Sequence, residues 1–529
     1  VNENIMVNRR VRPPARYAKL GKFSFISLAI LSCWTAFNGT VAIADEVDAQ
    51  FDGGRTPASN LPTAAPTQPI QSCSAESAAE INSKYGYKGW AMSPPSFADS
   101  FTGDYDCWRT NLAKYGIGLI DNITTYGEYN LLSHYEPSHS QQQYFGQRPS
   151  GNFINSLMLT YDLSRFGLPD GQLGFVGTGA TNTWAPDYTA KQLQMTEFKV
   201  YGTALNKTIE YEFGYLQNNL RFQGTVVGGN VANPLGLGSA SGALVGQSAS
   251  AGVPSINVKW NIDRNWYDRF AVQRSLPGTV STAGASGNMI AVEILSNPSG
   301  FNPLNSSPVV DGVRYHSPRA LFINEIGYQH QAGAGDPSSW VRLTGYYNTT
   351  TYADLSSTSG GTVNNNYAVS LYADRQIWQS EPSSAATAYK GIYIGGTLTH
   401  NNPRASSIAS TVEARIYSFG LFNRPEDQIA LSWQLQLPSS YMVDQFNASS
   451  SCKSQDLCMH RQVNSLLLSY TAHIRKGLWF SAGLQYTDNP SLVYSPLLVN
   501  GPTDSAPASL QPWNIHSALS GLVAVYANF

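Results

Sequence analysis

Two glutamates stand at alternate positions in TIEYEFGYL (Thr208 to Leu216), and closely spaced carboxylates are the tools of glycoside cleavage. The same spacing on a β-strand puts Glu210 and Glu212 on one face, where they serve equally well as the lining of a wet channel. Other charges recur on polar faces in the same manner: Glu128, Glu197, Lys199, Glu325, Arg342, Asp374, Glu413 and Arg415, with Trp340, Tyr372, Trp378 and Trp479 as aromatic companions. Together such groups can hold a sugar weakly: carboxylates accept from hydroxyls, arginine donates, and aromatic faces cover C–H surface. The competing reading of each charge is an ion pair across the wall. Catalysis has no anchor in a motif, since the chain lacks a Gly-x-Ser-x-Gly elbow, a His-Glu-x-x-His helix and a phosphate-cradling loop. The histidines are scattered, with His134 and His139 in one polar loop, and no short Cys-x-x-Cys pair suggests zinc. Neither a metal nor a cofactor is expected.

Composition narrows the elements that position these residues. Charged residues are 13% of the 529 and aromatic residues 12%, a mixture poor in charge yet with a mean hydropathy of -0.23. A helical membrane protein would be more apolar and a disordered chain less aromatic. A net charge of -2 gives no basic field for nucleic acid. Residues 1–44 read as a secretory signal peptide: a cationic lead (Arg9 to Lys22), the apolar run FSFISLAILSCW, and Ala42-Ile43-Ala44 as a cleavage site. Residues 45–100 form an Ala/Pro/Thr-rich flexible leader with a short helix expected around SAESAAEINSKY. After Cys33 leaves with the signal, four cysteines remain, which suits an oxidising compartment and permits three pairings; closeness in sequence favours Cys452 with Cys458, which leaves Cys73 with Cys107.

From residue 101 to 529 the period is two. In QIALSWQLQL, Ile429, Leu431, Trp433, Leu435 and Leu437 form an oily stripe opposite Gln428, Ala430, Ser432, Gln434 and Gln436. About sixteen such segments, most near the length that crosses a bilayer when tilted, are separated by alternately tight and long connections. A soluble β-sandwich would also alternate, but its outer face would be rich in Lys and Glu. Here the polar face is mostly Gln, Asn, Ser, Thr, Gly and Tyr, as a confined aqueous lumen requires. The expected fold is therefore all-β: a transmembrane antiparallel β-barrel of about 16 strands, preceded by a short helical segment and the leader. In LIDNITTYGEYNLL one residue, Asp121, breaks the oily face. The chain ends in GLVAVYANF, an apolar strand that should pair with the first strand, because a lipid-exposed sheet edge has no hydrogen-bond partner.

Several segments resemble the carbohydrate-selective porin family, the OprB-like outer-membrane channels. FTGDYDCWRTNLAKYGI (Phe101 to Ile117) is similar to that family's opening, with Tyr105 where a Trp is usual. YGEYN, NEIGY, YADRQIW, GLFNRPEDQIALSW and LQYTDNP follow in the family's order. Departures are the absence of glutamates in NSLLLSY, Ala482-Gly483 in place of Pro-Asp, and Arg375 in place of Gln. The resemblance implies a porin that passes carbohydrates and other small solutes passively, with Glu128, Glu325 and Asp374 as the preferred pore-lining contacts. It implies outer-membrane lipid as surroundings and recognition of Phe529 by the assembly machinery. A general diffusion porin and, further off, a barrel-embedded hydrolase are the alternatives. The sequence leaves monomer and homo-oligomer open. Arg109 is expected in a short helix at the periplasmic mouth, and Arg424 with Asp427 in fixing a turn.

Overall fold

In the computed structural model, residues 78–132, 145–183, 193–227, 235–237, 241–248, 251–278, 297, 299–301, 309–310, 313–448, 458, 460–490 and 517–529 are described. The period-two segments fold as strands β1 (Ile117–Asn130), β2 (Ser150–Asp162), β3 (Gln172–Asn182), β4 (Gln194–Ala204), β5 (Ile209–Leu216), β6 (Val253–Asn261), β7 (Trp266–Arg274) and β8 (Ala320–His330). They continue as β9 (Ser339–Asn348), β10 (Asn366–Gln379), β11 (Gly391–Asn401), β12 (Ile408–Phe419), β13 (Gln428–Pro438), β14 (Val463–Arg475), β15 (Leu478–Asp488) and β16 (Ser517–Asn528). Each pairs antiparallel with its neighbours in chain order, and the sheet closes into a barrel. The closing seam runs from Asn122 opposite Asn528 to Asn130 opposite Ser520, so the terminal strand pairs with the first as its apolar pattern requires. Phe529 extends the seam: its N–H and C=O exchange hydrogen bonds with Asp121 at 2.8 and 3.2 Å. Asp121 itself, the flaw in the oily stripe, accepts from Asn155 at 2.6 Å and so meets a polar partner on the outer face.

Parity along each strand sets two chemically distinct surfaces. Outward positions carry Leu343, Leu371, Ile394, Leu398, Ile416, Leu431, Leu466, Leu468 and Leu484, all exposed. A continuous apolar surface of this extent would be untenable in water and is the natural complement of hydrocarbon. Aromatic side chains bound it. Phe322, Tyr347 and Tyr367 stand side by side towards the long-loop rim, and Trp266 packs edge-on against Tyr328 at 5.2 Å near the other rim. These are the girdles expected at two membrane interfaces. Trp433, on the oily stripe, is among the exposed residues.

The connections at the short-turn rim are built for tightness. Residues 476–477 alone join β14 to β15, and Gly477 (φ +73°) lies where a Cβ would come within 2.2 Å of the Phe101 backbone nitrogen. Arg424 meets Asp427 at 2.8 Å, and Asp427 also accepts from the His473 backbone N–H at 3.0 Å, locking the turn between β12 and β13.

The helix expected before the barrel is α1 (Ala78–Tyr85), and α2 (Trp108–Lys114) follows it at the short-turn rim. Arg109 of α2 is buried and donates to Gly103 O at 2.7 Å, Leu119 O at 2.5 Å and Ser100 Oγ at 3.2 Å, tying the N-terminal segment to the base of β1. Residues 78–100, grouped with the leader by composition, are thus built into the barrel. Between Asn82 and Phe97, whose side chain and backbone N–H meet at 3.2 Å, the chain makes a strap that reaches into the lumen. The strap's far end is fastened by Asp99, which accepts from His473 at 3.0 Å and from the Gly477 N–H at 2.7 Å. Phe101 then stacks on Phe529 at 5.2 Å.

Candidate functional site: a narrowed conduit

The connection from β5 to β6 does not project outward but crosses the interior. Its short helix α3 (Asn219–Phe222) places Arg221, fully buried, between two carboxylates of the wall. The guanidinium reaches Glu197 at 2.5 Å and Glu212 at 2.6 Å, while Lys199 reaches Glu212 at 2.5 Å. Glu197 also accepts from Trp90 at 3.3 Å, from the Gln217 N–H at 3.1 Å and from the Tyr87 hydroxyl. Two elements, one from each end of the barrel, therefore meet at one ion network: the inner loop through Arg221 and the strap through Tyr87 and Trp90. A direct backbone bond from Ala91 N–H to Leu220 O, 2.9 Å, joins them.

Further along, the inner loop lies against the wall. Gly224 O accepts from Arg342 at 2.7 Å. Val226 and Val227 pack with Tyr393, Tyr417, Phe419 and Ala430, and Leu235 and Leu237 with Leu467, Leu522 and Ala524. The loop returns by the second short helix, α4 (Ser241–Leu244), where Val245 O accepts from Asn348 at 2.6 Å and Leu244 O from Asn366 at 3.0 Å. The span thus bridges β5 to β16 by apolar contact and comes back to β9 and β10.

Beneath and beside this loop the inward charges form a belt. Lys259 meets Glu210 at 3.0 Å, and Arg269 on β7 stands opposite Glu325 on β8. Glu325 accepts from Tyr267 at 3.0 Å and Thr344 at 2.9 Å, with Arg342 Nη1 3.8 Å away. The Arg342 guanidinium lies over the rings of Trp340 and Tyr372, at 4.0 and 4.5 Å from their centroids, an arrangement that fixes its plane. Asp374 takes a fork from Arg415 at 2.9 and 2.6 Å and a third hydrogen bond from Tyr417 at 3.0 Å. Glu413 lies 3.2 Å from the same arginine. Alternation of opposite charges on neighbouring strands is what allows so many ionised groups in a confined space.

The candidate residues fall into three groups. Glu197, Glu325, Arg342, Tyr372, Asp374, Glu413 and Arg415 point inward and are joined in the belt, all buried, with Trp340 half-buried beside them. Glu128 also points inward, with Gly146 of the first long loop against it. Trp378 does not belong with them: the register of β10 and β11 shifts between Gln376 and Trp378, so this tryptophan stands opposite Ile392 on the outer face and is 48% exposed. Simple alternation predicts the wrong side because a β-bulge adds one residue. Cys107 and Cys458 are each disulfide-bonded, while Cys73 and Cys452 lie outside the described residues.

Arg221, Tyr87 and Trp90 are the members of the ion network that alternation misses. None lies on a strand, so parity assigns them no side, and two belong to the segment read as leader. Their one visible signal is compositional: Tyr85, Tyr87, Trp90 and Phe97 cluster within sixteen residues of the strap, and Arg221 is the one charged residue of the segment between β5 and β6.

A closed sixteen-stranded barrel with an apolar belt outside, and a polar interior narrowed by an inward loop, defines an outer-membrane porin. The profile of the family described as "Carbohydrate-selective porin, OprB family" matches residues 138–509, and the chain belongs to that family. The high-pH structure of Pseudomonas putida OprB is similar with a TM-score of 0.61 and 14% identity, covering 84% of this chain and 99% of that one. The low-pH structure of the same protein gives 0.47 and 12%, covering 83% and 100%. An anion-selective porin from Comamonas acidovorans gives 0.43 and 12%, covering 78% and 99%. No curated protein sequence matches the chain.

Proposed function

We propose that this porin passes small uncharged hydrophilic solutes by passive diffusion, with a weak preference for carbohydrates. The observation that carries the reading is the internal compensation of the charged belt. From β4 to β12, together with Arg221, the carboxylates Glu197, Glu210, Glu212, Glu325, Asp374 and Glu413 are matched one for one by Lys199, Arg221, Lys259, Arg269, Arg342 and Arg415. A pore lined this way offers no net fixed charge along that wall to concentrate one sign of ion. Contact with the solute is then left to the uncharged polar and apolar groups of the lumen face, and weak contacts of that kind speed a sugar without trapping it. The chemistry breaks and makes no bonds: the barrier falls because a wet path replaces hydrocarbon. Export by the signal peptide of residues 1–44, Cys73–Cys107 and Cys452–Cys458 pairing, and assembly through Phe529 complete the picture for a protein whose short-turn rim faces the periplasm.

Planar-bilayer recording tests the proposal. Under a KCl gradient the reversal potential should lie near zero, and saccharides added at millimolar concentration should reduce the ionic current reversibly. A near-zero reversal potential with current indifferent to every saccharide would replace the sugar preference with general diffusion. A strongly displaced potential would contradict the compensated belt.

A further inference from the structure

We propose that solutes cross the middle of the barrel along a strip of wall on β1, β2 and β3, bearing the hydroxyls of Thr124, Ser156 and Thr178, and not along the charged belt. The inference rests on the channel reading and names the surface that the solute touches.

The belt is the chemically conspicuous part of the interior, yet apart from Glu210, Lys259, Arg269 and Trp340, which keep partial exposure towards the short-turn rim, little of it meets water. Inward positions on β10, β12 and β13 are buried almost throughout: Ser370, Asp374, Arg415, Ser432 and Gln434 have between 0% and 7% exposure, and the inner loop meets the same strands at Asn366, Tyr417, Phe419 and Ala430. On β14 and β16 the same loop covers Leu467, Leu522 and Ala524 through Leu235 and Leu237. The strap covers the lower parts of β1 and β2, where Tyr85 and Phe97 pack with Ile120 and Met158. Above that contact, at mid-height on β1 to β3, the inward side chains keep partial exposure: Thr124, Tyr126, Ile154, Ser156 and Thr178.

Register holds these groups together. Thr124 stands opposite Ile154, and Ser156 opposite Thr178. The hydroxyls of Ser156 and Thr178 are 3.1 Å apart, and Thr178 is 3.2 Å from Thr196, whose own hydroxyl donates to Val176 O at 3.1 Å. The anchored end sets the direction of the chain: with Thr196 donating to Val176 O, Thr178 donates to Thr196 and Ser156 to Thr178, which leaves lone pairs of Ser156 to accept from a passing hydroxyl. The hydroxyl of Thr124, which is not part of that relay, has a proton to donate as well as lone pairs to accept. Ile154 supplies apolar surface for C–H groups, together with the part of Tyr126 that Phe145 and the Leu235 cluster leave uncovered. No charged side chain is among the five. The ligand class that fits is an uncharged polyhydroxylated solute, held briefly by neutral hydrogen bonds and stacking.

Cysteine labelling in the full chain separates this route from the belt. Ser156→Cys and Thr178→Cys, inserted in bilayers, should lose current in irreversible steps when a charged methanethiosulfonate is added. Saccharide in the bath should slow that loss several-fold. Ser370→Cys and Ser432→Cys, at positions 0% and 1% exposed, should keep their current, as should the parent channel. Reaction at Ser370→Cys or Ser432→Cys with silence at both strip positions would overturn the route. Labelling of the strip that no saccharide slows would leave the route standing and overturn the sugar preference. Variants that insert and conduct before reagent is added are folded for this purpose, so a silent strip in a conducting channel counts against the proposal.

Discussion

Replacing Arg221 by Ala will raise single-channel conductance several-fold while the barrel still inserts. Arg221 is the sole cation that the inner loop offers to Glu197 and Glu212 among the described residues, and all three side chains are at most 7% exposed. Removing one member of a buried ionic group costs about 3–5 kcal/mol, because the partners stay buried and unpaired. Here two carboxylates lose their forked partner and only Lys199 remains, 2.5 Å from Glu212 and 3.9 Å from Glu197. The cheapest relief is for water to enter and for the start of the loop to leave the wall. The strands bear little of this cost, since their ladder is complete without the loop. Adding Glu197→Gln to the Ala variant removes the one carboxylate in excess, leaves Lys199 paired with Glu212 at 2.5 Å, and should return conductance part of the way to the parent value. Equal conductance in parent and Arg221→Ala would show that the ion network does not hold the loop.

Excising residues 86–95 from the strap, with a short Gly-Ser bridge, will widen the channel at least about two-fold by the loss of packed mass from the lumen. The ends of the excised stretch already lie together, because Asn82 holds the Phe97 N–H, so the bridge closes a small gap. The base remains fastened by Asp99 to His473 and Gly477, and by Asn528 to Asp99 O at 2.6 Å. A point substitution gives the same test without a deletion. Gly89 has φ +97°, and a Cβ there would lie 1.9 Å from a Glu212 oxygen. Gly89→Val combines a backbone conformation that β-branched residues avoid with a clash inside the ion network. Conductance and its noise should rise in both variants. No change in either would mean that the strap lies outside the path that limits current.

How far the sequence discloses this architecture depends on whether a residue is on a strand. Alternation in QIALSWQLQL gives the correct sides for all of β13, because the segment pairs in regular register with β14 and lacks a bulge. The same logic misplaces Trp378 by one position, since a bulge is a property of two paired strands and neither strand alone reveals it. The inward direction of Glu325, Asp374 and Arg415 is legible from parity, but their partnership is not. Asp374 and Arg415 lie on β10 and β12, not adjacent strands, and meet across β11 only because Gly395 between them has no side chain. Glycine there is an audible silence in the pattern, readable once the sheet order is known. The interior elements are the least legible. Strap and inner loop are rich in Gly, Ser and Ala, and they take their shape from the wall rather than from local propensity.

Single-channel recording of four proteins, the parent, Arg221→Ala, the strap-excised chain and the variant carrying both changes, tests the central claim most directly. A water-filled barrel narrowed from both ends predicts small, ohmic steps for the parent, larger steps for each single variant and the largest for the combination. Steps of one size in all four would contradict it, and so would a combined variant that inserts into the bilayer without conducting.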